Sequence, residues 1–267
     1  MDSLATQPTE STVGTDRDRD RAIEGLGTPE CRWLPWLASQ RLPELTANDL
    51  VPQGRRAVVV APHPDDEVLS VGGMLSQLAA LKREILVIAV TDGTGSHEGS
   101  TIWRPEKLAE VRPLESRRAW QQLGFGKVET RRLSLPDGGL MALRNVLAQR
   151  IAALLRPGDV VFTTWRLDGH PDHEATAQAC AAATACMDVR LVEVPVWAWH
   201  WASAGDPRLP WRRARQIALS PETMRQKRAA VNEFTSQLEA DASTGAGPIL
   251  RSTTVERACR PFELVFA

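Results

Sequence analysis

Two short segments of the chain combine histidines with carboxylates at spacings that suit a metal ion. The first is His63-Pro64-Asp65-Asp66, and the second, much later in the chain, is His170-Pro171-Asp172-His173. His63 and Asp66 stand three residues apart where the pattern predicts a helix to begin, so both side chains can face one point. One of the two later histidines would complete a set of two histidines and one carboxylate, which leaves a coordination position open for water. Metal-assisted hydrolysis is the chemistry that this pattern predicts.

The first segment also has an interpretation without a metal. An H-x-x-D pattern at a strand end is more often a helix N-cap, in which Asp65 or Asp66 accepts hydrogen bonds from free backbone N–H groups. The second histidine segment follows another apolar run in the same way. Two such segments at equivalent positions of one fold favour the metal over the cap.

Strands and helices are predicted to alternate along most of the chain. Short β-branched runs predict strands, and stretches with apolar residues three and four apart predict helices between them. The strands are predicted at 57–62, 85–91, 128–133, 159–164 and 190–197, and the helices at 67–82, 105–123, 140–155, 173–186 and 221–240. This order predicts a Rossmann-like, doubly wound and mostly parallel sheet with helices on both faces, plus an antiparallel edge strand at Phe262–Phe266. Ligands of such sheets bind beyond the carboxyl ends of the strands, where both histidine segments lie.

Composition narrows the class of protein. The 267 residues carry 32 basic and 33 acidic side chains, a balance that indicates neither nucleic acid nor an anionic membrane as partner. Four cysteines without C-x-x-C spacing are expected to be reduced thiols, and no apolar run is long enough to span a membrane. We therefore expect a cytoplasmic protein with a disordered N-terminal arm at 1–24 and a single domain at 25–267. The sequence leaves a homo-oligomer open.

The motifs resemble those of the PIG-L (LmbE-like) family of zinc-dependent deacetylases, which act on N-acetylglucosamine-containing substrates. Besides the two histidine segments, the likeness rests on matches elsewhere in the chain: Thr91-Asp92-Gly93, Arg112-x-x-Glu115, Leu135-Pro136-Asp137-Gly138 and Ser236-Gln237. The resemblance implies that His63, Asp66 and His173 bind zinc, with iron(II) or another divalent ion as alternatives. It also implies that Asp65 is the general base and that His170, which we expect to be protonated, polarises the amide oxygen.

The expected substrate is a small amino sugar or glycoconjugate. By the same resemblance, Arg112 and Asp137 contact sugar hydroxyls, although ordinary salt bridges would explain both residues equally well. Asp92 is expected to bond a histidine or the substrate, or else to form a simple turn. Trp199, in the run Trp197-Ala198-Trp199-His200-Trp201, is expected to stack on a sugar ring or to pack in the core, with His200 as an auxiliary hydrogen-bond donor.

Four functions fit these features. The leading one is a zinc-dependent N-deacetylase in which Asp65 takes the proton of a metal-activated water molecule. An amidase that cleaves a larger acyl group or a thiol conjugate would use the same site. An iron(II) oxygenase would use the same ligand set, but Asp65 and His170 are extra acid–base groups that favour hydrolysis. A non-catalytic carbohydrate-binding protein would use the Trp-rich run and need no metal.

Overall fold

Seven strands form one mixed sheet in the computed structural model, which describes residues 20–267. The strands are β1 (Ala57–Ala61), β2 (Ile85–Thr91), β3 (Glu129–Leu135), β4 (Val160–Thr164), β5 (Arg190–Val194), β6 (Ala214–Ala218) and β7 (Phe262–Phe266). Their order across the sheet is β3-β2-β1-β4-β5-β7-β6. The first five strands are parallel, whereas β7 runs antiparallel to both of its neighbours. The predicted doubly wound, mostly parallel sheet is confirmed.

Helices cover both faces of this sheet. They are α1 (Glu30–Gln40), α2 (Ala47–Leu50), α3 (Asp66–Ala80), α4 (Pro105–Gln122), α5 (Leu140–Ala152), α6 (Pro171–Thr184), α7 (Ala198–Trp201), α8 (Pro221–Val231), α9 (Thr235–Leu238) and α10 (Ser252–Ala258). Helices α3, α4 and α8 share a core with one face, and α5 and α6 share a core with the other. Each of these helices buries one apolar face against the strands, as the spacing of their apolar residues predicts.

The central strand β1 shows why the sheet forms and why the segments that follow neighbouring strands lie close together. All five of its residues, Ala-Val-Val-Val-Ala, are buried. Val58 and Val60 pack against α5 and α6, while Val59 packs on the opposite face, so the strand is apolar throughout instead of alternating. Because β1 and β4 are parallel neighbours, the segments that follow them emerge side by side at the same edge.

A buried ion pair supports a kink in α3. Val71 has non-helical dihedral angles (φ −129°, ψ 20°), which interrupts the helix one turn after its start. Glu263 of β7 accepts hydrogen bonds there from the backbone N–H groups of Gly73 (2.6 Å) and Met74 (2.8 Å). Lys227 of α8 donates to the same carboxylate at 2.6 Å, and both side chains are almost fully buried. The pair therefore fixes the helix that begins with the two aspartates of the first segment.

The C-terminal part of the chain differs in detail from the sequence prediction. Strand β6 was not predicted, and it pairs with β7 along all five residues, so β6 and not β7 forms the edge of the sheet. The helix expected at 221–240 is divided into α8 and α9, because the chain turns at Asn232–Phe234 between them. A short, partly charged strand such as β6 has no clear hydrophobic pattern in the sequence. A break inside an amphipathic helical stretch has none either.

The N-terminal part of the described chain packs against the domain. Residues 1–19 of the predicted arm lie outside the described residues. Of the remainder, Arg21 forms an ion pair with Glu174 of α6, and the carbonyl of Glu24 lies 2.8 Å from Nε2 of His200. Within residues 20–267, no helix combines the length and apolarity needed to cross a bilayer.

We expect Lys227→Met to lower the free energy of unfolding by roughly 3–5 kcal/mol, because it leaves the Glu263 carboxylate buried without its cation. Urea denaturation followed by circular dichroism measures the change. The matched control is Arg156→Met, which removes an exposed ion pair to Glu84 (3.0 Å) and should cost less than about 1 kcal/mol. Equal losses in the two variants would contradict the assigned role of the buried pair.

Candidate metal centre

The two histidine segments meet at the carboxyl edge of the sheet. His63 lies in the turn after β1, Asp66 is the first residue of α3, and His173 is in the first turn of α6. Oδ2 of Asp66 lies 3.2 Å from Nδ1 of His63 and 3.2 Å from Nε2 of His173. One potential ligand atom from each of the three residues lies within 4.8 Å of the other two. The structure thus brings together the three residues that were expected to bind a metal.

His173 is oriented by a carboxylate on its far side. Its Nδ1 is 2.8 Å from Oδ2 of Asp168, and both side chains are fully buried. Asp168 in turn accepts hydrogen bonds from the backbone N–H groups of Val196, Trp197 and Ala198. This arrangement places a proton on Nδ1 of His173 and directs the Nε2 lone pair toward Asp66, as in carboxylate–histidine–metal triads.

Nε2 of His173 provides a direct test of whether a cation fits. This nitrogen is buried and has no hydrogen-bond partner among residues 20–267, although it faces a carboxylate. Buried polar atoms rarely lack a partner, and an explanation is needed where one does. Two imidazole nitrogens and one carboxylate oxygen are a suitable donor set for zinc and for several other divalent ions. The residues therefore fit a divalent metal.

The histidines and carboxylates of the centre shift one another's pKa values. Burial by itself raises the pKa of Asp66, but the charge of His173 and the close approach of both histidines outweigh it and hold that pKa well below its usual range. Burial likewise lowers the pKa of His173, yet Asp66 and Asp168 overcome this effect and raise it to about 9. The anions that would attract a cation therefore also hold a proton on His173.

His63 is held from the opposite side by two further carboxylates. Its Nε2 lies 3.1 Å from Oδ1 of Asp137 and 3.4 Å from Oδ2 of Asp172. Asp137 also accepts from the N–H of Gly95 (2.7 Å). With its hydrogen on Nε2, His63 donates to these carboxylates and presents the lone pair of Nδ1 on the side of Asp66. Asp137, expected to contact a sugar, thus contacts a histidine of the metal centre.

A second group, His63, His170 and Asp172, also has ligand atoms close together. The ligand atoms of His170 and Asp172, however, already accept hydrogen bonds within the protein. Nδ1 of His170 accepts from the N–H of Asp172 at 3.2 Å, and the carboxylate of Asp172 accepts from the backbone N–H groups of Gly138 and Leu140. Asp172 thus holds the start of α5, and we assign the cation to the group that contains His173.

Asp65 points away from the cation ligands despite standing next to one of them. Its backbone lies in the left-handed region (φ 128°, ψ −31°), which is sparsely populated for residues other than glycine. Oδ2 of Asp65 accepts from Nη2 of Arg112 at 3.0 Å, and its N–H donates to Oε2 of Glu67 at 3.1 Å. Burial raises the pKa of Asp65 to about 7, although Arg112 opposes the shift. A carboxyl with such a pKa can exchange protons near neutral pH.

His170 lies between the two ligand histidines, with its ring centroid 4.9 Å from each of theirs. Burial and the positive charges of His173 and His63 lower its pKa to about 3. This direction favours a neutral ring over the protonated one that was expected. Since Nδ1 accepts from a backbone N–H, the proton lies on Nε2, which can still donate a hydrogen bond.

Arg112 and Asp92 have partners in the protein instead of a free face toward a sugar. Arg112 is buried and donates to the carbonyls of Pro64 (2.6 Å) and Gly93 (2.8 Å) as well as to Asp65. These contacts fit the salt-bridge alternative for Arg112, and a contact with sugar hydroxyls stays a prediction. Asp92 accepts from Nε and Nη2 of Arg132 at 3.0 and 2.8 Å, and neither a histidine nor a turn hydrogen bond uses its carboxylate.

The Trp-rich run follows the packing alternative. Trp199 is 8% exposed and packs edge-on against Trp33 of α1 at 4.9 Å, with Arg260 on its ring at 4.2 Å. It belongs to a separate apolar cluster with α1. His200 is buried between Glu24 and Arg257, so its hydrogen-bonding atoms have partners in the protein. The run serves the candidate metal centre through its backbone, which holds Asp168.

Two buried carboxylates of the site carry little signal in the sequence. Glu67 stands in the first turn of α3, where an acidic residue is usual, yet it is buried and accepts from the N–H of Asp65 and from Nε1 of Trp120 (3.2 Å). Asp168 is only a weak candidate by residue type. Its position directly after a buried strand and five residues before His173 is the available signal.

The fold and the site together define an α/β protein with a candidate two-histidine, one-carboxylate cation site at the carboxyl edge of its sheet. Residues 58–184 match the family model described as "PIG-L: GlcNAc-PI de-N-acetylase". This span includes all three candidate cation ligands as well as Asp65, Asp168 and His170. The part of the chain that forms the site is therefore similar to PIG-L proteins.

Known relatives agree with this similarity. Diacetylchitobiose deacetylase of Thermococcus kodakarensis is 29% identical over 124 residues, a match that covers 45% of this chain and 45% of the relative. The match thus spans less than half of that protein's length. A conserved protein from Thermus thermophilus is 28% identical, with a TM-score of 0.51, over 68% of this chain and 79% of that one. The zinc-inhibited form of teicoplanin deacetylase is 25% identical, with a TM-score of 0.52, over 68% and 85% of the two chains.

We expect Asp168→Asn to weaken cation binding by about 10- to 100-fold, because the neutral side chain no longer holds the proton on Nδ1 of His173. Calorimetric titration of metal-free protein with zinc measures the affinity, and circular dichroism checks the fold. Asp188→Asn, at a side chain that is 84% exposed, is the control. A folded Asp168→Asn variant with unchanged affinity would contradict the orienting role.

Cation affinity should also fall as the pH is lowered. Because the pKa of His173 in the metal-free protein is raised to about 9, a cation must displace a proton from this ring at any lower pH. Apparent affinity is expected to rise from pH 6 toward pH 9 and then level off. Titrations in buffers of different ionisation enthalpy should show protons released in this range. An affinity independent of pH would contradict the displacement of a proton from His173.

Proposed function

We propose that this protein is a metal-dependent N-deacetylase that hydrolyses the N-acetyl group of an N-acetylglucosamine-containing substrate or a related N-acylated metabolite. The proposal depends most on one observation. Adjacent carboxylates, Asp65 and Asp66, face different partners, and only Asp66 lies with the cation ligands. The other has a pKa of about 7, which is suited to moving protons. A protein that only stored or sensed a metal would have no use for this division.

The family and its relatives support the substrate class. The family model is described by an N-acetylglucosamine-containing lipid, and the relative from Thermococcus kodakarensis is a deacetylase of diacetylchitobiose. Both names refer to removal of an acetyl group from the nitrogen of an amino sugar. We infer the same bond type for this chain, with a small-molecule substrate.

In the proposed reaction, an amide and water yield a carboxylate and an amine. A divalent ion held by His63, Asp66 and His173 would supply Lewis acidity and lower the pKa of a water molecule toward neutrality. Asp65 accepts the proton of the attacking water and later donates it to the departing nitrogen. Arg112 keeps the Asp65 carboxylate in place through the whole cycle.

His170 has a separate task in this scheme. As the carbonyl carbon becomes tetrahedral, its oxygen gains negative charge and needs hydrogen-bond donors. The neutral His170 offers an Nε2–H for this purpose, since its Nδ1 is already occupied by a backbone N–H. A neutral donor avoids placing a second positive charge beside the cation, whose histidine ligands are themselves neutral.

We propose zinc as the ion, with iron(II) and other divalent metals as alternatives to be tested. The mixed nitrogen and oxygen donors are compatible with each of them. A relative has been crystallised in a zinc-inhibited form, so activity must be measured over a range of zinc concentrations and with other metals. The non-catalytic sugar-binding alternative loses its main support, because Trp199 is buried in a cluster with α1.

Acetate release measures the function directly. Metal-free protein is loaded with zinc, iron(II), manganese or cobalt and assayed for acetate and free amine with N-acetylglucosamine, diacetylchitobiose and larger conjugates. We expect stoichiometric acetate and amine from at least one of these, with kcat/KM rising with pH through about 7 as Asp65 loses its proton. Oxygen consumption with iron(II) in place of acetate release would favour an oxygenase and contradict the proposal.

Two variants are expected to separate proton transfer from cation binding. Asp65→Asn should retain the metal but lose about 10²- to 10⁴-fold in kcat, because an amide cannot accept the proton of water. His173→Ala should lose the metal itself, because it removes one of three ligands. Metal content by plasma mass spectrometry and kcat by acetate release distinguish the two cases, and equal metal content and activity in both variants would refute the assignment.

A further inference from the structure

A cavity of about 780 Å³ lies beneath α4 and reaches the metal centre. It is bounded by β1, β2 and β3 on one side and by Pro113, Ser116 and Trp120 of α4 on the other. At its inner end it is lined by His63, a cation ligand, and by Pro64. Cavities of this volume are typical of small-molecule sites.

Two alanines create the space. Ala61 of β1 and Ala89 of β2 are register partners at the carboxyl ends of their strands, and both line the cavity. Ala89 is the one residue of β2 that is not fully buried, although β2 lies inside the sheet between β1 and β3. Larger side chains at these positions would fill the gap below α4, so the sequence leaves it open.

The lining combines apolar side chains with polar ones that largely have partners in the protein. Val87, Val128 and Pro113 contribute apolar surface. Nε1 of Trp120 donates to Glu67, whose other oxygen accepts from a backbone N–H. The carboxylate of Asp92, a further lining residue, is paired with a neighbouring arginine. A sugar ring would have to compete for polar groups that are already paired, whereas a hydrocarbon chain needs no polar partner.

The position relative to the cation ligands indicates which part of a substrate enters. An amide that reacts at the metal centre carries its acyl group on one side of the carbonyl and its amine on the other. His63 belongs both to the cation set and to the cavity wall, so a chain attached to the reacting carbonyl can pass this ring and continue beneath α4. The exposed cations Arg117, Lys127 and Arg131 also line the cavity.

We propose that the cavity beneath α4 binds the unbranched acyl chain of an N-acylated amine, so that the substrates include amides with chains longer than acetyl. This inference rests on the proposed function and specifies its acyl side. Each methylene that moves from water into the cavity should raise kcat/KM by up to about fourfold. Ala89 would then be a residue that determines acyl specificity.

The test compares N-acetylglucosamine with N-octanoylglucosamine in wild type and in variants that fill the cavity. We expect wild type to prefer the octanoyl amide by about tenfold or more, since several methylenes become buried. Ala89→Phe and the milder Ala89→Val should lower kcat/KM for the octanoyl amide progressively, by about tenfold in the phenylalanine variant, with less than about twofold effect on the acetyl amide. Ala182→Phe, at an exposed alanine of α6, is the control for added bulk.

A binding measurement makes the cavity testable apart from turnover. Octanoate should bind wild type more tightly than acetate in a calorimetric titration, and Ala89→Phe should abolish the difference. If wild type hydrolyses neither amide, the proposed function fails, whereas octanoate binding still decides whether the cavity takes a chain. Equal losses for acetyl and octanoyl amides, or octanoate binding unchanged by Ala89→Phe in folded protein, would overturn the acyl-chain assignment.

Discussion

The metal centre depends on the backbone conformation of one residue, Asp65. In a regular helix start, consecutive carboxylates project about 100° apart and would still compete for the same positive groups. The left-handed backbone of Asp65 instead turns its side chain toward α4, while Asp66 enters the helix and faces the histidines. Such a conformation costs roughly 1–3 kcal/mol and persists only where the surroundings enforce it. The contacts around Asp65 hold it in this conformation.

Arg112 provides the most important of the contacts that hold Asp65. Its guanidinium joins the turn after β1, through Pro64 and Asp65, to the turn after β2, through the carbonyl of Gly93. Gly93 has a positive φ of 65°, and any side chain there would overlap the guanidinium. The Asp-Gly pair after β2 is therefore explained by the close approach of an arginine, and a bound sugar is not needed to explain it.

The helix that presents Arg112 is itself held in place by a buried carboxylate. Glu115, one turn further along α4, accepts hydrogen bonds from the backbone and hydroxyl of Ser236 and from the hydroxyl of Thr235. Two motifs that look independent in sequence, Arg112-x-x-Glu115 and Ser236-Gln237, are thus two sides of one contact. On the other flank, Asp168 anchors His173 with the help of three backbone N–H groups. Every carboxylate near the centre has a fixed partner, which keeps the ligand geometry rigid.

Sequence alone predicted the parts of this molecule that depend on local pattern. The alternation of strands and helices follows from short apolar runs. Spacing and the place of each segment in the fold indicated His63, Asp66 and one of the two later histidines, and only the family resemblance selected His173. Side-chain direction was harder to predict. Arg112 and Glu67 have the residue types of surface groups, and only the packing of α4 onto the sheet explains why they are buried. The aromatic run around Trp199 left a sugar platform and core packing both open, because its burial depends on α1, which lies far away in sequence.

The distribution of the nine tryptophans has a consequence for spectroscopy. Most of them belong to the cluster between α1 and the C-terminal strands, where Trp36 and Trp211 lie 4.4 Å apart and Trp33 contacts Trp199. Rings this close exchange excitation energy, so their fluorescence follows the integrity of that layer as a unit. Trp120 stands apart, with its indole N–H on Glu67 and its ring on the cavity. Apart from Trp103 and Trp197, which lie outside both places, the tryptophans therefore report on two things: the packing of the N-terminal helix and whatever enters beneath α4.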